Sequence, residues 1–360
     1  MAIGGVLVVT IISKKIGYSA VRSSLRRTWD KWGVRISQMS VQQPENFADG
    51  RAIIGLRAFF TAIIAFLIVA CTLSTAAAVD RGRVKVMNGT VVSDRNTILR
   101  GARIQLLKAG IVPADSYWHY LNATLGLNAV RYGVKTDELG RPIAEQLPAL
   151  DLAVNRAAAN NLYLMISNST KSGTYDLAEL RAFWSVVAPR YKNRSHVFYE
   201  MTNEPVKGGP HWGAPEQFTD KVLADLKSIY ILMRTGAPKT HIVMFTTANI
   251  WPNCASWAAL IKKMKKIDWS KASVGYHHYN GTHQIGEAGL QCLRGQYPLL
   301  MTETNYWTIP DRAILRDALS INEKLRISWF SLDGSGSAHR LENEIIPALN
   351  RDGYAWPAEN

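Results

Sequence analysis

The chain has 360 residues, 47% hydrophobic and 19% charged, which excludes a disordered polymer and allows one large domain with an ordinary core. Its formal net charge of +14 is spread thinly: residues 1–79 hold 9 Lys/Arg against 3 Asp/Glu, and Lys262 to Lys266 is the only short basic cluster. That cluster fits one face of an amphipathic helix, and no interleaving of basic and aromatic residues points to nucleic acid as a partner.

The first element is an apolar run. Ala58 to Val79 is 22 residues without a charge, preceded by Arg51 and Arg57, long enough to span a bilayer with its basic flank inside. It ends in Ala76-Ala77-Ala78, which suits signal-peptide cleavage, and it contains Ile68-Val69-Ala70-Cys71, which suits lipidation of Cys71. Export is the expectation, to the medium, the periplasm or the outer surface. Cleaved signal, lipid anchor and uncleaved anchor helix all fit, in that order of preference. Met39 offers a more conventional start than Met1. Residues 1–79 are accordingly read as a basic region plus signal or membrane anchor, and residues 80–360 as one catalytic domain. Without Cys71, two cysteines remain, Cys254 and Cys292; one disulfide in an oxidising compartment and two buried thiols fit equally well.

Next, Val84 to Asp94 carries two short β-like runs around Asn88-Gly89, a hairpin signal. A hairpin there would plug the bottom of the domain. Eight apolar runs follow, starting near Ile98, Ala129, Leu162, Val197, His241, Ser273, Leu299 and Arg326. Helical stretches separate them, among them Pro148 to Asn160, Asp176 to Tyr191 and Pro215 to Arg234. This alternation predicts a parallel sheet, and Ile98 to Asn350 is close to the roughly 250 residues of a (β/α)8 TIM barrel. No GxGxxG follows the first strand, so the doubly wound alternative is less favoured.

A barrel gathers its active site where its strands end. The fourth strand ends in Asn203-Glu204-Pro205, the sixth in His277-His278-Tyr279, the seventh in Glu303, the second in Arg131 and the eighth near Trp329. Taken singly, each is as well explained by a cap, an ion pair or the core. Together on one rim they point to glycosidic cleavage, in which one carboxyl group protonates the leaving oxygen and another attacks the anomeric carbon. An arginine keeps the attacking carboxylate ionised.

Ala188 to Pro205 (APRYKNRSHVFYEMTNEP) resembles the fourth-strand motif of glycoside hydrolase family 5, the cellulase family of clan A. His277-x-Tyr279, Thr302-Glu303, Trp329 and Asn128-Ala-Val-Arg131 are similar to its other strand motifs, and the resemblance covers roughly residues 83–357. It implies a retaining enzyme with Glu204 as acid/base, Glu303 as nucleophile and Asn203 at the sugar 2-hydroxyl. It also implies His277 and Tyr279 as tuners of the carboxylates, Arg131 as partner of Glu303, and Trp329 as a sugar platform. The chain departs from that pattern at Ile166-Ser167-Asn168 and Thr304-Asn305, positions that bear on substrate rather than reaction type.

Trp212, Trp251 and Trp307 follow the fourth, fifth and seventh strands, where they would stack on successive sugars or pack the loops. β-1,4-Glucan cut endoglucanase-fashion is the first choice of substrate, ahead of β-mannan and β-1,3- or β-1,6-glucan. A transglycosylase remodelling envelope or cyclic glucans would use the same residues. A carbohydrate-binding barrel without activity is less favoured, because a pure binder gains nothing from paired carboxylates. No metal and no organic cofactor are expected, since the cysteines are few and His277-His278 are adjacent. A monomer is the expectation.

Overall fold

The computed structural model describes residues 81–105, 112–134, 142–169, 173–206, 214–247, 254–278, 286–304, 312–331, 342–343 and 346–354. The apolar run 58–79 and Cys71 lie outside these residues, and among the described residues no helix is long and apolar enough to cross a membrane.

Among the described residues there are ten strands: β1 (Lys85–Met87), β2 (Thr90–Val92), β3 (Arg100–Gln105), β4 (Ala129–Val134), β5 (Tyr163–Asn168), β6 (Val197–Glu200), β7 (Ile242–Thr247), β8 (Ala272–His278), β9 (Leu299–Thr304) and β10 (Ser328–Ser331). From β3 to β10 each pairs in parallel with the next in chain order, and β10 returns to β3, closing an eight-stranded barrel. Each barrel strand begins within two residues of its predicted start, because both faces of these strands are buried and the apolar runs are nearly continuous.

The helices are α1 (Asp115–His119, continued by a wider turn to Thr124), α2 (Ile143–Ala159), α3 (Leu177–Tyr191), α4 (Asp220–Gly236), α5 (Cys254–Lys263), α6 (Glu287–Arg294), α7 (Arg312–Lys324) and α8 (Ile346–Arg351). Asp176 caps α3 through the amides of Ala178 and Glu179, and Thr219 caps α4 through that of Val222. Helix α2 starts five residues before Pro148, which was expected to begin it. Its first turn buries Ile143 and Gln146, so tertiary packing extends the helix past a proline that marks a start locally.

The predicted hairpin forms. Asn88 (φ 51°) and Gly89 (φ 71°) both take positive φ, as a two-residue hairpin turn demands. Thr90 pairs with Leu299, the first residue of β9, which puts the hairpin at the bottom of the barrel. Val84 and Val91 there join Leu99, Tyr163, Met165, Phe198, Val243, Leu300 and Phe330 in the apolar plug inside the barrel. A larger apolar layer, with Trp118, Trp184, Trp257 and Trp329, separates strands from helices. Cys254 in α5 and Cys292 in α6 are bonded, with Cα atoms 6.2 Å apart.

Candidate active site

Above the apolar plug the inward-facing positions turn polar. Strand alternation carries Leu99 and Gly101 on to Arg103, Ala129 to Arg131, Met165 to Ser167 and Phe198 to Glu200, so one parity supplies both plug and site. Two register shifts complete the ring. Between β7 and β8 an extra residue is accommodated at Phe245, whose φ of 59° is unusual for a bulky side chain. The shift lets the Thr246 hydroxyl donate to Glu200 Oε1 at 2.9 Å. Between β8 and β9, Tyr276 pairs with Met301 but His277 with Glu303, so Thr302 is the extra residue and Glu303 is turned inward.

The resulting network is buried and densely bonded. Arg131 donates through Nε to Glu200 Oε2 (2.7 Å), through Nη1 to Glu303 Oε2 (2.6 Å) and through Nη2 to Asn203 Oδ1 (2.7 Å). Arg103 Nη1 meets the same Glu303 Oε2 at 2.9 Å. His277 Nδ1 lies 2.8 Å from Glu204 Oε1 and 4.0 Å from Glu303 Oε1. The turn presenting Glu204 is tied down on both sides: Asn203 N–H donates to the Asn168 carbonyl, and the Glu204 carbonyl accepts from Gly173 N–H. Glu204 itself takes φ of 40°, a left-handed conformation that costs a residue with a side chain on the order of 1–3 kcal/mol.

The charges explain why so polar a cluster can be buried. Burial pushes the Glu303 carboxyl pKa up, and proximity to Glu204 does the same, yet Arg103, His277 and Arg131 together hold it below the usual carboxylate range. Glu200 behaves alike: burial raises it, and Arg131, His277 and Ser167 bring it below its ordinary value. His278, half-buried at the end of β8, is pushed down to about 4 by desolvation.

Of the residues expected at the rim, Arg131, Asn203, Glu204, His277 and Glu303 come together here. Tyr279, Trp212, Trp251 and Trp307 lie outside the described residues. Trp329 requires a correction. It is fully buried among the outer apolar layer, and its indole N–H donates to Glu323 Oε1 of α7 at 2.8 Å, so it is no sugar platform. The reason is parity: on the short β10, Phe330 takes the inward position and packs near Phe198, which turns Trp329 outward.

Three partners were missed, namely Arg103, Glu200 and Thr246. Alternation along β3 and β6 could have found Arg103 and Glu200, but Thr246 depends on a bulge. Glu204, His277 and Glu303 each bring one ligand atom within 4.8 Å of the others, a set able to hold a cation. Two guanidinium groups already occupy Glu303 Oε2 and oppose a cation at that oxygen.

The barrel and its paired carboxylates place the chain in the class of (β/α)8 glycoside hydrolases. It belongs to the cellulase family, glycosyl hydrolase family 5, whose family profile matches residues 108–315, more than half of the chain. Among its relatives, endoglucanase A of Butyrivibrio fibrisolvens is 24% identical over 250 residues, 65% of this chain and 48% of that protein. Endoglucanase Z of Dickeya dadantii is 22% identical over 158 residues, 43% of this chain and 33% of that protein. The chain thus matches about half or less of the length of these relatives. Similar solved structures include the cellulase Cel5C_n (TM-score 0.59, 18% identity, 79% of this chain and 95% of that one). Another is the catalytic domain of Thermobifida fusca endoglucanase Cel5A (TM-score 0.55, 18% identity, 69% and 84%). These two show the shared fold.

Proposed function

We propose that the protein is a retaining β-glycoside hydrolase that cuts β-linked glucan internally, with Glu204 as acid/base and Glu303 as nucleophile. One observation carries the reading: the two carboxyl groups face each other closely enough that one oxygen of Glu204 lies within 4.8 Å of one oxygen of Glu303. Retention calls for carboxyl groups about 5–5.5 Å apart, whereas inversion leaves room for a water at roughly 6.5–9.5 Å. Glu303, ionised beneath two guanidinium groups, attacks the anomeric carbon. Glu204 protonates the departing oxygen and then deprotonates the water that releases the sugar. His277, bonded to Glu204, orients it, and Arg131, holding the Asn203 carbonyl, turns that amide's nitrogen away from itself toward a sugar hydroxyl.

Proton NMR of the first product from a β-linked oligosaccharide tests the mechanism: the β-anomer is expected, and an α-anomer sinks it. The Glu204→Ala protein should keep its first step on substrates with good leaving groups and be rescued by azide, while Glu303→Ala should be inactive on all. Sizing the products of β-1,4-glucan, β-mannan and β-1,3-glucan identifies the glycan, and an added acceptor sugar reveals transglycosylation.

We also propose export. The uncharged 58–79 run supports it, as does the Cys254–Cys292 bond, which suits an oxidising compartment. N-terminal sequencing of protein recovered from cell fractions tests this, and a cytoplasmic product retaining residues 58–79 would end it.

A further inference from the structure

Arg103 belongs to no motif noted in the sequence, yet it is the second cation on the proposed nucleophile. Resting on the retaining reading above, we propose that Arg103 is a positioning residue that acts through Glu303 in the second half of the reaction. It stabilises the carboxylate as the group that leaves the sugar.

The argument begins with how the two arginines are used. Arg131 is divided among Glu200, Glu303 and Asn203, and it is fully buried with Glu200. Arg103 makes one hydrogen bond among the described residues, to Glu303, and its buried Nε has no partner there. Its guanidinium is therefore dedicated to Glu303 rather than to the barrel wall. Electrostatics gives the same answer. Against the burial that raises the Glu303 pKa, Arg103 comes before His277 and Arg131 among the groups that hold it ionised, so its loss removes a main source of charge compensation for a buried carboxylate.

Both guanidinium groups bind Oε2, and Oε1 is the oxygen on the side of His277, which also meets Glu204, so the attack is assigned to Oε1. In the first step the bond from Oε1 to the anomeric carbon forms as the glycosidic bond breaks. Its electron pair departs on the leaving oxygen, which takes the proton of Glu204. Glu303 loses its charge as the ester forms, and the Arg103 cation then faces a neutral group. In the second step water attacks the anomeric carbon, Glu204 takes its proton, and the electron pair of the ester bond returns to Glu303. Arg103 favours that return because it restores the ion pair. The same electron withdrawal makes Glu303 a weaker nucleophile, so the cation aids the second step at the expense of the first.

The experiment compares the whole protein with its Arg103→Met and Arg103→Lys variants on a dinitrophenyl β-cellobioside, whose leaving group needs no proton. Arg103→Met should lower kcat roughly ten- to a hundredfold, the size of a lost charged hydrogen bond. KM should fall with it, kcat/KM should hold or rise, and a burst of dinitrophenolate should precede the steady state. The acid limb of kcat/KM should move to higher pH, with Arg103→Lys lying between Arg103→Met and the unaltered protein. A fall in kcat/KM without a burst shows Arg103 to be merely structural and overturns the proposal, as does an unchanged kcat. If Arg103→Met does not fold, the same outcomes are read from Arg103→Lys. Labelling of the unaltered protein by a 2-fluoro β-glycoside separates the two readings. Absence of label on Glu303 overturns the retaining mechanism and this proposal with it. Label on Glu303 with no kinetic change in the variants overturns this proposal alone.

Discussion

Arg131 and Glu200 form a fully buried ion pair, Nε to Oε2 at 2.7 Å, beneath the two proposed catalytic carboxylates. Glu200 is joined to the adjacent wall as well, through the Thr246 hydroxyl at 2.9 Å. Replacing Glu200 with Ala strands a buried guanidinium beside Glu303. We expect that variant to lose about 3–5 kcal/mol of stability, read by urea unfolding. Its activity should fall too, because Arg131 also sets Asn203 and Glu303.

Acid sensitivity should come in two stages. His241 is buried at the start of β7 against Ser273, and burial depresses it to about 3. Its unfolded value is about 6.5, so the unfolded chain takes up the proton first. The stability contributed by neutral His241 is complete above about pH 6.5 and drains away as pH falls toward about 3. Glu200 and Glu303, also depressed, add their loss only below their unfolded value of about 4.3. Urea midpoints between pH 7 and pH 5 should fall for the unaltered protein and fall less for His241→Phe, where the remaining slope comes from His278, also depressed by desolvation. An equal slope in both would remove His241 from the account.

Trp329 separates core from cleft. Trp329→Ala should cost about 3–5 kcal/mol, as loss of a buried aromatic does, and it also leaves the Glu323 carboxylate without its indole donor. Measured at a temperature where the variant stays folded, its KM for oligosaccharides should match that of the unaltered protein. A raised KM with normal stability would restore the sugar-platform role.

The Cys254–Cys292 bond closes a 38-residue separation between neighbouring helices. Reducing it, or replacing both cysteines with Ser, should lower unfolding stability by about 2–4 kcal/mol. The kinetic constants should be little changed, since neither cysteine touches the carboxylates. Calorimetry with and without reductant checks the first point.

What the sequence determined by itself was local or periodic. Asn88-Gly89 specifies its turn through backbone sterics, the apolar runs specify strands buried on both faces, and Asn203-Glu204-Pro205 announces a polar strand end. Parity along single strands also puts Arg131 and Glu200 on the same side as the apolar plug. Tertiary structure alone decided the rest. The extra residues at Phe245 and Thr302 arise where successive strands pair out of step across an intervening helix, and those shifts bring Thr246 to Glu200 and aim Glu303 inward. Trp329 and Phe330 are both large and apolar, so neither composition nor motif tells which faces the axis. That choice follows from the pairing of β10 with β3 and β9, because register is a property of the closed barrel and of no single strand.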